Sequence, residues 1–122
     1  MLLELDFTDE TPIYMQIRNQ IVMGIADGKL SPGEKLPTIR ALSNEAGINM
    51  MTVNKAYALL KQEGFIQTDR RSGVAVSGSV PSGGVTEKLK SGFKLLVSEA
   101  KLCGMTKQEI LNLCGEFFET EN

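Results

Sequence analysis

Apolar positions recur with two different periods along the chain, and the change of period divides it into elements. Ile13, Ile17, Ile21 and Ile25 repeat every fourth residue, and Tyr14 widens the stripe. This spacing predicts an amphipathic helix from Pro12 to about Asp27. Thr11 is its expected N-cap, Pro12 its first residue, and Gly28 its stop. Leu30-Ser31-Pro32-Gly33 is turn chemistry. From Thr38 to Ala46 a short helix is expected, capped by Thr38 and turning Leu42 and Ala46 inward. Gly47 makes the next turn. Asn49 then caps a helix whose Val53, Ala56, Tyr57 and Leu60 share one face, and Gly64 follows its last turn. Beyond it the period shortens to that of strands. Phe65 to Thr68 and Val74 to Ser77 are short apolar or β-branched runs around a polar tip, Asp69 to Gly73, which predicts a hairpin. Ahead of all this, Leu3, Leu5 and Phe7 alternate as an arm or short strand lying on the domain.

Helical spacing returns at the C-terminal end. Gly78 to Gly84 (G-S-V-P-S-G-G) reads as a linker, so residues 1–77 form one domain and 85–122 a helical tail. Leu89, Phe93, Leu96, Val97 and Ala100 form one stripe, and Gly104 closes that helix. Thr106 and Glu109 have the spacing of a capping box, with Met105 and Ile110 as its hydrophobic staple. The last helix carries Leu113, Phe117 and Phe118 among its apolar residues. Two amphipathic helices have little of their own to bury against. Leu89, Phe93, Leu96, Val97, Leu113, Phe117 and Phe118 are therefore expected to meet a second copy, as a homodimer.

Two short helices joined by a tight glycine turn are the sequence form of a helix-turn-helix, and a hairpin directly after one is a wing. The expected fold is mostly α with a small β-hairpin: a winged helix-turn-helix domain followed by a two-helix dimerisation tail. In the second helix Asn49, Met50, Met51, Thr52 and Asn54 fall off the apolar face, where a DNA reader places its base contacts. Lys55 adds a cation to the same helix. Arg70 and Arg71 put two adjacent guanidiniums at the hairpin tip, beside Ser72 and Gly73, which suits phosphate or minor-groove contact.

Charge sharpens that picture. The 122 residues carry a formal charge of −2, and the pI is about 5.2. An indiscriminate polyanion binder is thereby disfavoured. Between Lys35 and Arg71, however, Lys35, Arg40, Lys55, Lys61, Arg70 and Arg71 face only Glu45, Glu63 and Asp69. This segment is basic inside an acidic chain, and steering depends on how charge is distributed. The chain has no histidine and two cysteines, Cys103 and Cys114. A zinc site, another metal or cofactor, and histidine-based catalysis are not expected. No secretory leader and no membrane-spanning run is evident, so a cytoplasmic protein with reduced thiols is expected. Two function classes remain: a DNA-binding repressor, and a winged-helix protein–protein adaptor that would need neither Arg40 nor the wing-tip arginines.

The order of parts and the residues together resemble the GntR family of bacterial transcription regulators. The resemblance runs from Pro12-Ile13-Tyr14 through Gly28 to Arg40, then Val53 to Tyr57, Glu63-Gly64-Phe65-Ile66 and the Gly73 wing. The short helical tail looks like the YtrA subfamily. The resemblance implies a homodimer on a double-stranded, palindromic operator, with Arg40 matching the family's DNA-contacting arginine. A small-molecule effector is a further partner that it leaves open. The departure lies at Met50-Met51, where relatives often carry Arg-Thr or Pro-Asn. Methionine offers no strong hydrogen bond to a base edge, so the operator sequence does not carry over.

Overall fold

A computed structural model describes residues 3–69, 71, 73–79 and 83–119. Val80, Pro81 and Ser82 of the expected linker, and Thr120 to Asn122 of the tail, lie outside the described residues. The elements are α1 (Ile13–Ala26), α2 (Ile39–Ala46), α3 (Met50–Gln62), β1 (Ile66–Asp69), β2 (Gly73–Val76), α4 (Glu87–Leu102) and α5 (Lys107–Phe118). The chain divides into two compact units, Met1–Pro81 and Ser82–Asn122. The first is a winged helix-turn-helix, mostly helical, as the patterning predicts.

Its core is centred on α3, which packs against α1, α2 and β1. Ile17 and Ile21 of α1, Leu42 of α2, Val53, Ala56, Tyr57 and Leu60 of α3, and Ile66 and Val76 of the hairpin are buried together. Leu30 and Leu36 join them from the connection between α1 and α2. Leu30 reaches in because position 24 is a glycine. A Cβ there would stand 3.1 Å from the Leu30 side chain, closer than packed carbons sit. The hairpin pairs Ile66 with Val76 and Asp69 with Gly73, in the expected register, with each strand displaced one residue toward the tip. A third segment lies beside β2, where Lys35 bridges Ala75. Leu36 N–H donates to Val74 at 2.8 Å and Val76 N–H to Glu34 at 2.8 Å. No periodicity announces this segment, because one bridged residue has no period.

The start of α1 corrects one expectation. Thr11 is not the N-cap. Pro12 occupies that position with ψ of 147° and no side-chain cap, and helical dihedrals begin at Ile13. Thr11 instead offers its carbonyl to Gln16, whose Nε2 donates to Thr11 and to Asp6, each at 2.8 Å. Gln16 Oε1 accepts from Asp6 N–H at 2.8 Å. One turn on, Gln20 treats Glu4 the same way, accepting at 2.9 Å and donating at 2.6 Å. The arm is thus held by two side-chain amides that stand in for a neighbouring strand. Leu3 and Leu5 pack on the core, whereas Phe7 is exposed.

The second unit is a pair of helices joined by a tight turn. Gly104, at φ of 89°, ends α4, with Met105 N–H returning to Ala100 at 3.0 Å. Thr106 and Glu109 complete the expected capping box at the start of α5. Neither helix has a buried residue among those described.

Candidate nucleic-acid interface

The interface is assembled from the mouth of α2 upward. Thr38 Oγ1 accepts from Ala41 N–H at 3.0 Å, which starts α2 and places Arg40, exposed, in its first turn. The approach to this helix is anchored from α3. Tyr57 is fully buried, and its hydroxyl donates to the Pro37 carbonyl at 2.8 Å. Burial pushes its phenol well above the usual value, so the hydroxyl stays a donor. Gly47 then turns the chain at φ of 68°. No neighbouring atom would touch a Cβ there, so glycine is required by the backbone and not by space.

Asn49 starts α3 by accepting from Met51 N–H at 2.7 Å. Its oxygen is therefore engaged by the helix, which leaves the amide N–H groups to meet a ligand. Met50 and Met51 are 44% and 77% exposed. Thr52 is half-buried, and Asn54 and Lys55 are exposed. Val53, Ala56, Tyr57 and Leu60 fill the opposite face. Lys55 has a neighbour that spacing does not suggest: its Nζ lies 4.1 Å from the centroid of the Tyr14 ring. A cation over an aromatic face is attracted to it, which ties this residue to α1.

At the wing, Arg71 is exposed and its N–H donates to Asp69 Oδ1 at 2.8 Å. Gly73, at φ of 77°, opens β2. Arg70 and Ser72 lie outside the described residues. Lys35, in the segment paired with β2, adds an exposed cation. One supporting contact escapes sequence reasoning altogether. Arg18 of α1 holds Glu63, the C-cap of α3, through Nε at 2.9 Å and a second nitrogen at 2.7 Å. The partners are 45 residues apart, so neither spacing nor motif links them.

In the second unit Leu89, Phe93, Leu96, Val97, Leu113, Phe117 and Phe118 are all exposed. The thiols of Cys103 and Cys114 are free and exposed. Among the described residues no cluster of metal-ligating side chains occurs. Nor, among the described residues, is any helix long and apolar enough to cross a membrane.

Comparison with known proteins bears on this arrangement. A family described as bacterial regulatory proteins, gntR family, matches residues 13–76. The transcriptional repressor YtrA of Bacillus subtilis is 33% identical over 112 residues, 89% of this chain and 86% of that protein. The solved structure of YtrA from Sulfolobus acidocaldarius, a GntR-family transcription factor, is 39% identical. It covers 93% of this chain and 94% of that one, with a TM-score of 0.61. The structure of AraR(DBD) in complex with operator ORX1 is 28% identical, covering 63% of this chain and 99% of its own, with a TM-score of 0.55.

Proposed function

The chain belongs to the gntR family of bacterial regulatory proteins as a YtrA-like, DNA-binding transcription regulator, and we propose that it represses transcription as a homodimer on a palindromic operator. The observation that carries this reading is the two-sidedness of α3. Its back is fully buried, while Met50, Met51, Asn54 and Lys55 of its N-terminal half are exposed, as are Arg40 and Arg71 in the same compact unit. That is the construction of a recognition helix, which enters the major groove with its N-terminal residues foremost. Arg40, Asn49, Asn54 and Lys55 meet base edges or phosphates, and Arg71 follows the backbone beside the groove. One such helix reads a few base pairs, so selectivity requires two half-sites and two copies of the chain.

The second copy is joined through α4 and α5, whose apolar faces are exposed. The protein works in the cytoplasm, where its operator is. Family membership favours DNA over the protein–protein adaptor reading, and the exposed Arg40 suits that choice. A mobility-shift assay on the DNA flanking its own gene tests the proposal. The full chain shifts that duplex in excess non-specific competitor. Arg40→Ala, which removes no core contact, weakens the shift by roughly 5- to 150-fold, as loss of one bidentate base contact does. Indifference to competitor sequence, or an Arg40→Ala variant that binds like its parent, would remove the proposed site.

A further inference from the structure

Met50 and Met51 fall on the reading face by spacing, but no contact of their own has yet been assigned to them. The core does not need them, since Val53, Ala56, Tyr57 and Leu60 fill the buried face of α3. The helix start does not need them either, since Asn49 caps it. Yet they expose adjacent thioether side chains at the end of α3 that enters the groove. Their polar neighbours are partly committed: the Asn49 oxygen to Met51 N–H, Thr52 to partial burial, and Lys55 to the Tyr14 ring. Met50 and Met51 therefore set an apolar patch among the polar groups still exposed there, the Asn49 amide and Asn54. In the major groove one base presents an apolar group, the C5-methyl of thymine.

We propose that Met50 and Met51 select thymine at one or two positions of each half-site by packing on its 5-methyl group. This rests on the DNA-binding reading above and adds the chemical class of base recognised at that place. Methionine suits the task. It is unbranched and polarizable, and it follows an irregular surface without a fixed donor–acceptor geometry. Readout at these positions is then by exclusion of water from a methyl group, and hydrogen bonding is left to Arg40 and Asn54. Arrangement and chemistry agree. A donor-rich first turn would favour guanine or adenine, whereas an apolar one gains from a base only where a methyl stands in the groove.

The test uses the full chain and duplexes selected with it from a pool of random-sequence DNA. Each thymine of the selected half-site is replaced singly by uracil, which pairs identically and lacks only the methyl. One or two replacements weaken binding by roughly fourfold each, the effect of one buried methyl. The same replacements have little effect on Met50→Ala or Met51→Ala. Alanine at exposed helical positions preserves the fold, and the uracil series on the parent chain needs no variant at all. Three results overturn the proposal. If the parent binds its selected duplex but ignores uracil at every thymine, methyl recognition is wrong and DNA binding stands. If the uracil effect survives undiminished in both variants, another group or the shape of the duplex reads the methyl. If no sequence is enriched from the pool, the DNA-binding reading itself fails.

Discussion

Tyr57 makes two demands on one residue: its ring fills the centre of the core and its hydroxyl holds the Pro37 carbonyl ahead of α2. Tyr57→Phe keeps the first and deletes the second. A half-buried carbonyl left without its partner costs about 1 kcal/mol. In a unit of this size that is a fall in Tm of roughly 4–8 °C. The same change loosens the entry to α2, so operator affinity falls with it. Thermal unfolding followed by circular dichroism checks the first effect, and an unchanged Tm would show that the hydroxyl contributes nothing. Tyr57 was legible as a core residue from its place on the α3 stripe, but its hydroxyl partner was not, because Pro37 lies 20 residues upstream. Arg18 and Gln16 were illegible for the same reason. Their partners are chosen by how α1 packs, and polar side chains on a helix carry no mark of what they will face. Met50 and Met51 could be placed outward because the stripe that excludes them was already complete.

Among the elements, the helix boundaries with a side-chain cap were the most legible, since a cap is a local interaction written within four residues. Thr38, Asn49 and Thr106 each accept from the backbone as their residue type suggests. Thr11 misled because proline fixes φ and leaves ψ free. Pro12 takes ψ of 147° and holds the N-cap position itself. Gly47 gives a test of the turn between α2 and α3. Gly47→Ala meets no atom but must hold a left-handed conformation, at a cost of about 1–2 kcal/mol. Asn in its place recovers part of that loss, which urea unfolding of the three chains would display. Equal stability of Ala and Gly would mean that the turn relaxes.

The start of α5 gives a pH test. Hydrogen bonds from the Thr106 backbone and side chain hold the Glu109 carboxyl below its ordinary value of 4.5. A folded-state value below the unfolded one stabilises the helix above about pH 4.5. That contribution is lost as pH falls through the depressed value. The carboxyl resonance of Glu109 in an NMR titration therefore moves at lower pH in the parent chain than in Thr106→Ala. Coincident Glu109 titrations in the two chains would mean that the capping box is not formed in solution.

At the scale of the molecule, the two compact units differ in what they bury. The first encloses its own core, whereas α4 and α5 leave their apolar faces exposed. The stripes in the tail are exposed apolar surface, and a stripe does not identify what covers it, so the homodimer rests on proposal. A chain ending at Ser77 keeps every core residue of the first unit. Light scattering should find it folded and monomeric. It should bind the operator about 10²- to 10⁴-fold more weakly than the full chain, because the second half-site no longer gains from linkage. A dimer of full affinity would move the interface into the first unit, with α1 or the arm from Leu3 to Phe7 as its place. Whether DNA is read by the mouths of α2 and α3 together with the wing is decided by mapping backbone amide shifts as a selected duplex is titrated into the full chain. The largest changes should gather at Thr38 to Ala41, Asn49 to Lys55 and Arg71 to Gly73. Changes confined to α4 and α5, or spread evenly over the surface, would contradict that reading.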